Sequence, residues 1–95
     1  MKNYIKKETA LLAKDMGFKS QFLNDITQSE LQRWLWEEKM LWVSSTPIFS
    51  SNELLAVEVS VNSWALPSIV VVDYRGFDIY EGLEIGLLEA LKLLK

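Results

Sequence analysis

The longest uninterrupted helical pattern in the chain runs from Asp78 to Leu94, and it constrains every other element. At about 100° per residue, Tyr80, Leu83, Leu87, Ala90, Leu91 and Leu94 fall on one side, Glu81, Glu89 and Lys92 on the other, and Glu84 at the border. An amphipathic helix of this kind needs a second layer to cover its apolar stripe. Asp78 reads as the N-cap and Glu81, three residues on, as the acid of a capping box, so the helix begins near Ile79. Gly82 and Gly86 each cost about 1 kcal/mol of helix propensity relative to Ala. Four residues apart and continued by Ala90, they leave one flank smooth, which fits close approach to a sheet better than contact with a helix of a second chain. Ile85 and Leu88 break the pattern by pointing among the charged residues, toward the side expected to face water. They are candidate contacts for a partner.

Before this helix the apolar period changes once. A first helix is expected from about Tyr4 to Met16, with Ile5, Leu12 and Met16 on one face and Leu11 beside them. It ends at Gly17 in the left-handed conformation, with Phe18 folding back over the end. Its opening lysines oppose the helix dipole, so its first turn is expected to fray. Phe22 and Leu23 are apolar pegs in the connection that follows. Thr27 with Glu30 forms a capping box, and Ile26 with Leu31 a hydrophobic staple, so a second helix starts at Gln28. Leu31, Trp34, Leu35 and Glu38 share a face, which puts Trp34 in or near the core. Trp36 is turned away toward Gln32 and Arg33, within reach of a cation–π contact with Arg33, and is a third candidate partner contact.

From Leu41 the period alternates. Trp42, Ser44, Thr46 and Ile48 form one row and Leu41, Val43 and Ser45 the other, while Pro47 assigns this strand to an edge or a bulge. Ser50 to Asn52 is a turn. Leu55, Val57, Val59 and Val61 alternate with Ala56, Glu58 and Ser60, the pattern of a central strand with one wet face. Asn62 and Ser63 are expected to turn the chain, Pro67 to sit at or before the next strand, and Ile69 to Val72 to form a third strand. The expected fold is one α+β domain over residues 1–95, in the order α-α-β-β-β-α. Its three-stranded antiparallel sheet has one face covered by helices, chiefly the last with the second, and leaves the Glu58 face in water.

The residue inventory limits the chemistry. The chain has neither cysteine nor histidine, which removes disulfides, thiol nucleophiles, zinc-thiolate sites and the usual general base near neutral pH. The carboxylates Glu37, Glu38, Asp73, Asp78, Glu81 and Glu84 have no spacing that gathers them into a catalytic or Mg²⁺ site. The serines lack a nucleophile elbow, and the glycines match no nucleotide fingerprint. No enzyme activity, cofactor, metal or small-molecule ligand is implied. The net charge of −3 gives no electrostatic footprint for a polyanion. Lys2, Lys6, Lys7, Lys14 and Lys19 against Glu8 and Asp15 nevertheless make the first twenty residues +3, so the rest carries −6. The order from Gln28 onward matches that of the double-stranded-RNA-binding domain, but its final helix should open with lysines where Asp78, Glu81 and Glu84 stand here. The likeness is one of topology. No signal peptide or membrane-spanning run is evident, and a cytoplasmic location is expected.

The stretch Thr27-Gln28-Ser29-Glu30-Leu31-Gln32-Arg33-Trp34-Leu35, the closing Phe77-Asp78 and Gly86 to Leu94, and the opening Lys7 to Leu12 leading to Gly17-Phe18 resemble a group of small uncharacterised proteins carried by phages and mobile elements of gut bacteria. Trp36 and Leu88 stand where that pattern would have polar residues. The resemblance implies a genomic setting and no chemistry. The function expected is that of a non-enzymatic interaction protein acting through Trp36, Ile85 and Leu88, with another protein or a second copy as partner. The alternative is a nucleic-acid-binding module using the N-terminal lysines.

Overall fold

The computed structural model describes residues 4–19, 26–63 and 69–94. The elements are α1 (Lys7–Asp15), α2 (Gln28–Lys39), β1 (Leu41–Ser50), β2 (Glu53–Ser63), β3 (Ile69–Val72) and α3 (Ile79–Leu93). The three strands form one antiparallel sheet in the order β1-β2-β3, which is the expected α+β arrangement, with α3 packed on the sheet. Phe22, Leu23 and Pro67 lie outside the described residues.

β1 and β2 form a hairpin closed by Ser51 and Asn52, whose φ of 51° and 65° are those of a two-residue turn with both residues left-handed. β2 runs through Asn62 and Ser63, which pair with Trp42 and Leu41, so the turn expected there from their residue types does not occur. Tertiary pairing outweighs the weak turn preference of Asn and Ser. The register breaks between Ile48 and Phe49, where Leu55 is the extra residue of a bulge. Pro47 does lie in an edge strand.

Paired residues share a face, so Leu41, Val43, Ser45 and Pro47 lie with Val57, Val59, Val61, Val70 and Val72 on the side that α3 covers. Gly82 and Gly86 set that contact. A Cβ at Gly86 would stand 2.5 Å from Val43 Cγ1 and 2.8 Å from Val59 Cγ1, and one at Gly82 would stand 2.9 Å from both Ser45 Oγ and Val59 Cγ2. The smooth flank therefore meets the sheet. The inward face of α3 is rotated accordingly: Gly82, Glu84, Gly86, Leu87, Ala90 and Leu91 are buried, and Tyr80, expected inside, is exposed. Asp78 caps α3 by accepting from Tyr80 N at 2.8 Å and Glu81 N at 3.3 Å. The Asp78 N–H is met by the Tyr74 hydroxyl at 3.3 Å, in place of the expected return bond from Glu81. Burial and the neighbouring Glu81 and Asp78 carboxylates raise the Tyr74 phenol above its ordinary pKa, against a lowering bond to the Asp78 backbone.

α2 starts as its sequence dictates. Glu30 N donates to Thr27 Oγ1 at 3.1 Å, and Ile26 and Leu31 are both buried in the main core with Leu35, Leu87 and Leu91. Trp34 is half-buried, edge-on to Phe18 with ring centroids 5.4 Å apart, and Lys39 Nζ sits 5.5 Å from its ring centre. Arg33 pairs with Glu37 at 2.9 Å, which raises the guanidinium pKa. α2 ends at Met40, a left-handed residue (φ 57°) from which β1 follows directly.

α1 is shorter than expected at its start. Tyr4 forms a bridge to Thr27, Ile5 N donates to Ile26 O at 2.9 Å, and the helix begins at Lys7. Its buried face consists of the small residues Thr9, Ala10 and Ala13, with Leu12 and Met16 half-buried beside them. The C-terminus is a full Schellman motif. Gly17 (φ 106°) donates to Lys14 O at 3.1 Å, and Phe18, folded back and buried, donates to Ala13 O at 3.0 Å. The N-terminus has no cap from its own residues. Instead Glu84 of α3, only 5% exposed, accepts from Lys6 N at 3.2 Å and from the Thr9 hydroxyl. A carboxylate at this end satisfies orphan donors and suits the helix dipole. The expectation that this turn frays is corrected by that contact from 78 residues away.

Candidate interaction surface

The sheet face turned away from α3 carries Trp42, Ser44, Thr46 and Ile48 from β1, Ala56, Glu58, Ser60 and Asn62 from β2, and Val71 from β3. Trp42, Ile48 and Val71 are exposed, Val71 to 70%. Among the described residues Glu58 is the one charged side chain of this face, and it is exposed. Asn62 Nδ2 stands 3.4 Å from Trp42 O and 3.5 Å from the hydroxyls of Ser44 and Ser60, a polar strip beneath an apolar rim. Where β3 ends, Ile48, Ala56, Glu58, Val71 and Tyr74 line a shallow hollow of about 380 Å³.

Trp36 joins this surface from the side. α2 passes the β1 edge, and Trp36 meets Trp42 edge-on, with ring centroids 5.8 Å apart and planes at 83°. Both indoles keep nearly half their surface exposed, 46% and 45%. The sequence places Trp36 on the outside of its helix but does not connect it with Trp42, because their approach depends on how α2 is held against the strand.

That hold is made by Gln32. Its Oε1 accepts from Val43 N at 3.0 Å, and its Nε2 donates to Val43 O. The amide thus fills the outward-facing backbone groups of one β1 residue as a paired strand would. Two further features act along the same edge. By ladder alternation Pro47 also turns its backbone outward, where it offers no donor, and the bulge follows at Ile48 and Phe49. Together these features make the β1 edge a poor template for another strand.

Ile85 and Leu88 are half-buried and stand apart from Trp36. Ile85 lines a cleft of about 250 Å³ with Val70, Val71, Val72, Asp73 and Glu89, between α3 and β3. Leu88 lies in a groove of about 510 Å³ between α1 and α3, with Leu11, Leu12, Lys7, Asp15 and Lys92. The three candidate contacts therefore mark three places rather than one surface. Lys6, Lys7, Lys14 and Lys19 are exposed along and after α1, where Glu8 and Asp15 are exposed among them.

Among the described residues, no group of three or more acidic side chains is placed to hold a metal ion, and no helix is long and apolar enough to cross a membrane. No protein-family model matches the chain, nor does any curated protein or solved structure.

Proposed function

We propose that the chain is a non-enzymatic protein-interaction module of a phage or mobile element, receiving its partner on the open face of the sheet. The observation that carries this reading is the edge-on pair of Trp36 and Trp42, half-exposed and continued across the sheet by Ile48 and Val71. Tryptophans of this kind supply large contact area with little side-chain entropy to lose, and they dominate binding energy when a partner desolvates them. The lone Glu58 favours an apolar partner surface that brings a cation opposite it.

The test is affinity capture from cells that carry the gene, comparing the wild type with a Trp36→Ser/Trp42→Ser variant whose fold is verified by circular dichroism. A protein retained by the wild type and lost from the variant supports the reading, and identical retained sets refute it. Nucleic acid bound by the lysines of α1 would behave differently. Its association would fall steeply with salt and be indifferent to the tryptophan substitutions.

A further inference from the structure

The two edges of the sheet are treated differently. The β1 edge is blunted by the Gln32 amide and by Pro47, with a bulge in β2 opposite its end, whereas among the described residues the β3 edge has none of these. Its sequence, Ile69-Val70-Val71-Val72, is four β-branched residues with no charge, no proline and no register break. The direction of its backbone follows from the ladder. Val43 faces outward, so its opposite residue Val61 faces β3 and bonds to Val70, and Val59 bonds to Val72 in the same way. Val71 therefore turns its N–H and C=O away from β2.

We infer that the β3 edge pairs with the β3 edge of a second copy, antiparallel and centred on Val71, joining two sheets into one of six strands. In that register Val71 N–H of each chain donates to Val71 O of the other, and both outward pairs are satisfied at once. Val70 stands opposite the partner's Val72 on the side of α3, above the cleft that holds Ile85. The seam also avoids the repulsion expected of two chains carrying −3 each. β3 itself has no charge; of the two carboxylates that line the cleft, Asp73 is ion-paired with Arg75 and Glu89 with Lys92 of the same chain, each at 3.4 Å. A two-fold contact of this kind is self-complementary, and two like β-branched edges suit each other in packing and in hydrogen bonding. The contact uses the strand edge and the Ile85 cleft, so it leaves the face around Trp36 and Trp42 open and does not depend on the function proposed for it.

The experiment is light scattering after size exclusion over a range of concentrations, on the wild type, Val71→Pro, Val71→Lys and Trp42→Ser. Proline at 71 removes an outward N–H without touching the β2 ladder, and lysine places a charge on each side of the seam. The expected result is a wild-type dimer whose dissociation constant rises at least about tenfold in both Val71 variants, with far-UV circular dichroism unchanged, and stays unchanged in Trp42→Ser. Because the chain has no cysteine, Val71→Cys gives an independent readout: oxidation should link two folded chains through that position. A wild type that stays monomeric throughout overturns the proposal. So does a dimer that survives Val71→Lys, or one dissolved by Trp42→Ser alone.

Discussion

The side-chain amide of Gln32 occupies both outward backbone groups of Val43, so one residue of α2 serves as a one-residue strand on the β1 edge. Gln32→Ala should lower stability by about 1–2 kcal/mol, the net worth of two hydrogen bonds, read as a lower urea midpoint. It should also promote concentration-dependent association through β1, visible by light scattering. Gln32→Glu keeps the acceptor for Val43 N but loses the donor to Val43 O, and should be impaired as well.

Gly86→Ala places a methyl against Val43 and Val59. Overpacking costs about 1–3 kcal/mol, and the better helix propensity of alanine returns about 1 kcal/mol. The expected net loss is up to about 2 kcal/mol by chemical denaturation. A gain in stability would mean that α3 can lift from the sheet without cost.

Glu84→Ala removes both the acceptor for Lys6 N and the acceptor for the Thr9 hydroxyl. Amide exchange in α1 should accelerate, by about 1–3 kcal/mol of lost protection, while β2 amides change less. Uniform acceleration across the sheet would show that α1 and the sheet open as one unit.

Met40→Gly should stabilise the chain by roughly 1 kcal/mol. Met40 is exposed and left-handed, a conformation that glycine adopts without the Cβ penalty. Thermal unfolding measures the gain.

Trp36 and Trp42 should couple by about 0.5–1.5 kcal/mol in a double-mutant cycle of leucine substitutions, the usual range for an edge-on aromatic pair. Additivity would remove the pair as a unit of the open face.

The features legible in the sequence were those whose causes are local. The Thr27 cap, the start of α3 at Asp78, the Schellman end at Gly17 and the limits of β3 each depend on a few adjacent residues. Gly82 and Gly86 were also legible, since two unfavourable residues at helical spacing mark a close approach. What escaped depended on distant partners. Glu84 looks like a border acid until α1 is set beside it, and Gln32 looks like an ordinary surface amide until β1 runs past it. Periodicity alone puts Tyr80 inside, because it fixes which residues share a face but not the angle at which the glycines seat that face on the sheet. For the candidate surface, Trp36 was visible from its helix alone. Its partner Trp42 and the open edge at Val71 required the sheet topology.

Glu84 also sets a schedule for folding during synthesis. Thr9 leaves the ribosome 75 residues ahead of the carboxylate that receives its hydroxyl. At about 5–20 residues per second, α1 spends on the order of 4–15 s without its cap, and the hairpin waits a shorter time for its glycine-lined cover. During that interval the nascent chain presents bare valines on the inner side of its sheet. The first helix made is thus among the last to be fixed, and a pause in translation between β3 and α3 should prolong the time in which chaperones bind this chain.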